Sequence, residues 1–160
     1  MKRTQTVFLQ IVLALIGIGV LALLLWEPHL EGRNRHSTLF QIYFNDPFLA
    51  YIYLAFIPFF VGLHQAIKLL GYVRENKAFS FAAVKALRTI KNCALVTAGL
   101  IAGAEAYLFI VQRNKEDIAG GVAMGLVMIF ISVVVATAAA VCERLLQNAA
   151  DMKSENDLTV

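Results

Sequence analysis

The chain alternates long apolar blocks with short polar ones, and the apolar blocks predict four helices. The first block runs over 7–26, with Gln10 its one strongly polar residue. The second covers about 48–70 and contains Pro58 and His64, the third 93–111 with Glu105, and the fourth 118–142 with no charge at all. Each is close to or above the roughly 20 residues that a helix needs to cross the hydrocarbon of a bilayer. Helix is the only spanning structure open to them, because lipid offers backbone groups no partners and four segments cannot close a barrel. The expected fold is an all-α integral membrane four-helix bundle, a single domain over 1–160.

Composition removes the soluble alternatives. The 160 residues are 59% hydrophobic and 16% charged, against about 45–50% and 25% in ordinary soluble domains. Outside the spans too little chain is left for a soluble catalytic domain. The basic start, Lys2-Arg3, resembles that of a signal peptide, but the apolar stretch behind it is too long and Trp26-Glu27-Pro28-His29 offers no small-residue cleavage site. The first span is therefore expected to be a retained anchor.

Charge sets the expected orientation. Ten of the fourteen Lys and Arg fall on one side of the spans: Lys2, Arg3, Lys68, Arg74, Lys77, Lys85, Arg88, Lys91, Arg144 and Lys153. The positive-inside bias then places both termini and the 71–91 connection in the cytoplasm of a bacterial plasma membrane. The 27–47 loop and the 112–117 turn lie outside. Trp26, Tyr43, Tyr51, Tyr53 and Tyr107 gather toward the outer leaflet, as interfacial aromatics do. The net charge of +3 is largely this bias and calls for no direct nucleic-acid binding.

Polar residues inside the spans are the candidate chemistry. Glu105 is the only acid within a span, so it should face the bundle and find a partner or be protonated. Counting residues puts Tyr53 at its depth on the second helix, which predicts a Tyr53–Glu105 hydrogen bond and a candidate proton or cation site. Counting also brings His64, Thr97 and Thr137 to one level, a candidate inner polar layer of interhelical hydrogen bonds. Pro58 removes a backbone hydrogen bond in mid-span. Gly99/Gly103 and Gly121/Gly125 are small-xxx-small pairs that permit close helix approach. They predict tight packing of the third helix on the fourth, with homodimerisation through one such face as the alternative.

No cofactor is expected. A bis-His haem would need a second histidine in a span beside His64. Cys93 and Cys142 form no C-x-x-C motif. Glu27, His29, Glu31, His36 and Asp46 in the outer loop match no metal-ligand spacing. The spans hold no Asp pair, Ser–His dyad or H-E-x-x-H, so no catalytic residue is named and enzyme activity is not expected.

The cytoplasmic side is richer. Ser80 is placed to cap a helix running into the third span. Lys85, Arg88 and Lys91 recur beside Leu87 and Ile90, the pattern of a short basic helix at headgroup level before that span. The fourth helix should extend to about Ala150, leaving 151–160 as a flexible tail. Asn156, Asp157, Leu158, Thr159 and Val160 make an acidic-then-apolar ending that a partner can read.

Two of these segments resemble a known family. Lys77-Ala-Phe-Ser80, followed by Val84-Lys85-Ala86-Leu87-Arg88-Thr89-Ile90, is similar to a cytoplasmic stretch of the bacterial membrane family catalogued as domain of unknown function 2975, and residues 155–160 resemble its usual ending. Ala78 departs from the pattern, standing where proline is common. The resemblance carries no catalytic residue. Genes of that family often lie beside one for a small helix-turn-helix regulator, so it implies a cytoplasmic regulatory partner contacted through the basic segment and the tail. The two functions to be weighed are a non-enzymatic regulatory or sensory membrane protein and a small proton-coupled transporter built on Glu105. Small multidrug exporters share four spans and one glutamate, but theirs lies in the first span and this one in the third, so that likeness is architectural.

Overall fold

A computed structural model of the chain describes residues 3–30, 47–112 and 119–158. All the long elements are helices: α1 Arg3–Leu30, α2 Pro47–Arg74, α3 Phe81–Tyr107 and α4 Ala119–Leu158. A π-helical segment, Leu108–Gln112, continues α3. All four are long and apolar enough to cross a membrane. Each exceeds its apolar core at one or both ends, since polar flanks continue a helix once lipid has imposed it.

The pattern of exposure is that of a protein whose solvent is hydrocarbon. Phe8, Ile18, Leu23, Leu54, Ile57, Ile110, Phe130 and Val134 are exposed, while Ala55, Ala86, Ala98, Ala104, Ala136 and Ala139 are buried beside Thr97, Glu105 and Glu143. Water would drive the large side chains inward. In lipid no such force acts, and small or polar residues take the interfaces because they allow close backbones and interhelical hydrogen bonds.

The helices pack in chain order, α1 on α2, α2 on α3, and α3 most extensively on α4. All three pairs are antiparallel. Near its start α1 sends the Gln10 amide to the Ile67 carbonyl late in α2, at 3.0 Å, and near its end its Leu24 carbonyl accepts from the Tyr53 hydroxyl early in α2, at 2.9 Å. Between them Leu63 lies over Gly17, where a Cβ would come within 2.6 Å of its Cδ2. Gln10, Gly17 and Leu24 are seven residues apart in turn, so one stripe of α1 makes the seam.

The connection from α2 to α3 is a built turn. Asn76 adopts a left-handed φ of 58°. Its N–H reaches the Val73 carbonyl, and the Lys77 N–H reaches that of Tyr72 at 2.8 Å. This is the Schellman arrangement that ends a helix, with Asn in the place glycine usually takes. Ser80 then caps α3 as expected, its hydroxyl accepting from the Ala83 N–H at 3.3 Å. The basic stretch from Lys85 to Lys91 is helical and runs without a break into the third span. It is the first part of α3 and not a separate short helix before it, with Ala83, Val84, Ala86 and Leu87 buried.

Beyond the apolar part of α4 the helix does not fray at Ala150 but continues to Leu158. The expected flexible tail is therefore helical over most of its length, with the Gln147 amide donating to Asp151 one turn on, at 3.0 Å. Thr159 and Val160 lie outside the described residues.

Candidate functional site

The α3/α4 interface carries a polar feature at each end. Toward the end of α3 and the start of α4, Glu105 is 9% exposed and its carboxylate rests against Gly125, in the space that a Cβ there would occupy. Its Oε2 has no hydrogen-bond partner among the described residues. Gly125 thus belongs to a small-xxx-small pair and also provides the seat for an acid. Gly121, one turn earlier, lies against Leu108 at ordinary contact distance.

Tyr53 does not meet Glu105. Its hydroxyl is turned the other way, onto the Leu24 carbonyl of α1. Tyr51 is the tyrosine that faces α3, donating to the Leu100 carbonyl at 2.8 Å and filling the space beside Gly103. Residues two apart on a helix point about 200° apart. Once Tyr53 serves α1, Tyr51 is the one directed at α3. Near the same level Tyr107 stacks on Phe48, with ring centroids 5.4 Å apart.

The inner polar layer is not formed. His64 is exposed on the outside of α2, and Thr137 is exposed on α4, its hydroxyl returned to the Val133 carbonyl of its own helix at 2.8 Å. Thr97 alone is buried, and its hydroxyl has no partner among the described residues. Thr97 is also displaced along the bundle, since Gly62 meets Cys93 and the level of His64 on α3 therefore falls near Lys91.

At the opposite end of the interface Glu143 of α4 is 7% exposed. Its Oε1 accepts from Arg88 Nε and its Oε2 from Lys91 Nζ, both at 2.7 Å. Two cations of α3 therefore hold one acid of α4, through Arg88 Nε and Lys91 Nζ. Lys85 is exposed. Glu143 is the first charge after the fourth apolar block, and in an antiparallel hairpin it falls opposite the basic start of α3. That pattern was available as a signal for the pair. Nothing in the sequence distinguished Tyr51 from Tyr53 or assigned Gly125 to Glu105.

The remaining expectations separate in the same way. Gly99 is exposed, with open space where a side chain would begin, so the pair Gly99/Gly103 does not face α4. Cys93 and Cys142 are free thiols. No group of three His, Cys, Asp or Glu able to hold a metal is found among the described residues. Glu31, His36 and Asp46 lie outside them.

Residues 36–160 match the family described as "Protein of unknown function (DUF2975)". The chain belongs to that family. The match begins after α1 and takes in α2, α3 and α4, so the DUF2975 region contains both polar features. Over its whole length the chain is also 44% identical to "Uncharacterized membrane protein YoaS" of Bacillus subtilis (strain 168), with all of each protein covered. No solved structure matches it. The relative's name agrees with four apolar helices in describing a membrane protein.

Proposed function

We propose that this member of the DUF2975 family is a regulatory or sensory protein of the bacterial plasma membrane, with both termini cytoplasmic, that acts by contact with a cytoplasmic protein and not by catalysis. The observation that supports this most directly is the length of α4. It remains helical for fifteen residues after Glu143, about 22 Å of rise beyond the point where charge begins. Residues 151–155 are exposed on it. A helix of that reach, anchored at its base by the Arg88–Glu143–Lys91 pairing, is a rigid arm for a partner to grip. The positive-inside bias assigns it to the cytoplasm, and a helix-turn-helix regulator is the partner class that the family resemblance suggests.

The test is affinity purification of the full chain and of a form lacking 151–160 from the native host in mild detergent. A soluble protein retained by the first and lost from the second is the expected result. Equal recovery by both forms, or no partner with either, would remove the arm's role.

A second reading rests on a different observation, the unpartnered Oε2 of the buried Glu105. Acids inside membrane helices mark ion and proton sites often enough to make a small proton-coupled transporter the alternative. Proteoliposomes loaded with a pH-sensitive dye would then show proton movement driven by a lipophilic cation, abolished by Glu105→Gln. Wild-type vesicles that behave as empty ones end this alternative.

A further inference from the structure

One strip of α3 is exposed, with Arg88 on it reaching Glu143 of α4. Phe81, Lys85, Arg88, Asn92, Val96 and Gly99 follow one another along it at steps of three or four residues, and all are exposed. Its chemistry changes abruptly along its length. Lys85 has no side-chain partner among the described residues. Among the described residues Arg88 uses only Nε, on Glu143, and its side chain stays 60% exposed, with the two terminal nitrogens of the guanidinium taken by none of them. Both oxygens of Glu143 are already taken, by Arg88 and Lys91, so it cannot neutralise a further cation. Lys85, Arg88, Lys91 and Glu143 together keep a surplus of two positive charges.

Apolar side chains border this polar patch on both sides. Phe79 and Phe81 are exposed before it, and Leu95 and Val96 after it. A cationic patch between aromatic and aliphatic surface, on a helix that enters the membrane one or two turns later, belongs at headgroup depth. A soluble acidic protein would match the cations but not the apolar surface beyond them.

We propose that this strip binds one anionic phospholipid. The phosphate is held by the Lys85 ammonium and the free guanidinium nitrogens of Arg88, with the Asn92 amide as a further donor. One acyl chain lies over Val96 and Gly99. Glu143 is the positioning residue, since it fixes Arg88 by Nε and turns the remaining nitrogens outward. Charge complementarity selects an anionic head, and the continuity of cations with exposed hydrocarbon selects a lipid over free phosphate.

The experiment is native mass spectrometry of the full chain in a neutral detergent, titrated with phosphatidylglycerol or with phosphatidylcholine of the same acyl chains. Phosphatidylglycerol adducts should appear at lower lipid concentration. Lys85→Ala should weaken them about fivefold, the effect of one interfacial cation. Gly99→Leu adds a side chain that starts in open space, so it should lower adduct formation while leaving the unfolding temperature unchanged. Equal adducts with both lipids, or wild-type binding by both variants, would overturn the proposal. So would a Gly99→Leu protein that loses a dimer and keeps its lipid, because the strip would then belong to a second copy of the chain.

Discussion

The carboxylate of Glu105 occupies the space that any side chain at Gly125 would require. The two residues come from opposite halves of the α3/α4 hairpin, and each accounts for the other. The acid can be buried there because α4 presents no Cβ, and α4 can afford no Cβ there because the acid fills the gap.

Replacing Gly125 by alanine should therefore destabilise the bundle by about 1–3 kcal/mol, the usual penalty for overfilling a packed site. Adding Glu105→Ala should recover most of the loss, which a double-mutant cycle of thermal unfolding in detergent would measure. Additive losses would mean that the carboxylate does not sit against α4.

The two ion pairs of Glu143 should be unequal. Lys91 is 28% exposed and Arg88 60%, while Glu143 is shared between them. Solvent screens the more exposed pair more strongly. Unfolding of single and double variants should give a Lys91–Glu143 coupling near 1 kcal/mol and a smaller one for Arg88–Glu143. Raising ionic strength should reduce the Arg88 coupling more.

At the α2–α3 turn, Asn76→Gly should be neutral or stabilising, because glycine adopts a positive φ without penalty. Asn76→Val should cost about 1–2 kcal/mol for the same reason reversed. Ser80→Ala should cost about 1 kcal/mol by leaving the first turn of α3 without its cap. Thermal unfolding of the three variants in one detergent is the measurement.

The Gln10–Ile67 and Tyr53–Leu24 hydrogen bonds between α1 and α2 can be removed separately. Gln10→Leu and Tyr53→Phe should each weaken the seam by roughly 0.5–1 kcal/mol, the range of interhelical hydrogen bonds in membranes. Hydrogen exchange of α1 should accelerate in the double variant. Exchange in α3 and α4 should not change, since α1 packs principally on α2.

How much of this was legible depends on direction. Depth along a helix could be counted, and it placed the Glu105 and tyrosine level, the Ser80 cap and the four spans. Direction around a helix could not, because it depends on which neighbours each helix meets. Tyr51 and Tyr53 differ by two residues and serve different helices. His64 and Thr137 are exposed and do not join the buried Thr97. The length of α4 was underestimated for a simpler reason. Its polar end offers no apolar pattern to read, yet side-chain pairs such as Gln147–Asp151 support helix there. The small-residue pairs predicted close packing of α3 and α4, and the structure assigns only Gly121 and Gly125 to it.

The paired contacts of α1 have a mechanical side. Gln10 and Leu24 are fourteen residues apart, and so are Tyr53 and Ile67, so both bonds belong to a single register. A slide of one turn, about 5.4 Å, would sever both together and drive Leu63 off the notch at Gly17. The first two helices are thus keyed as one plank, and if the bundle moves to carry a signal or a proton, the yielding joint has to be sought at α2/α3 or α3/α4.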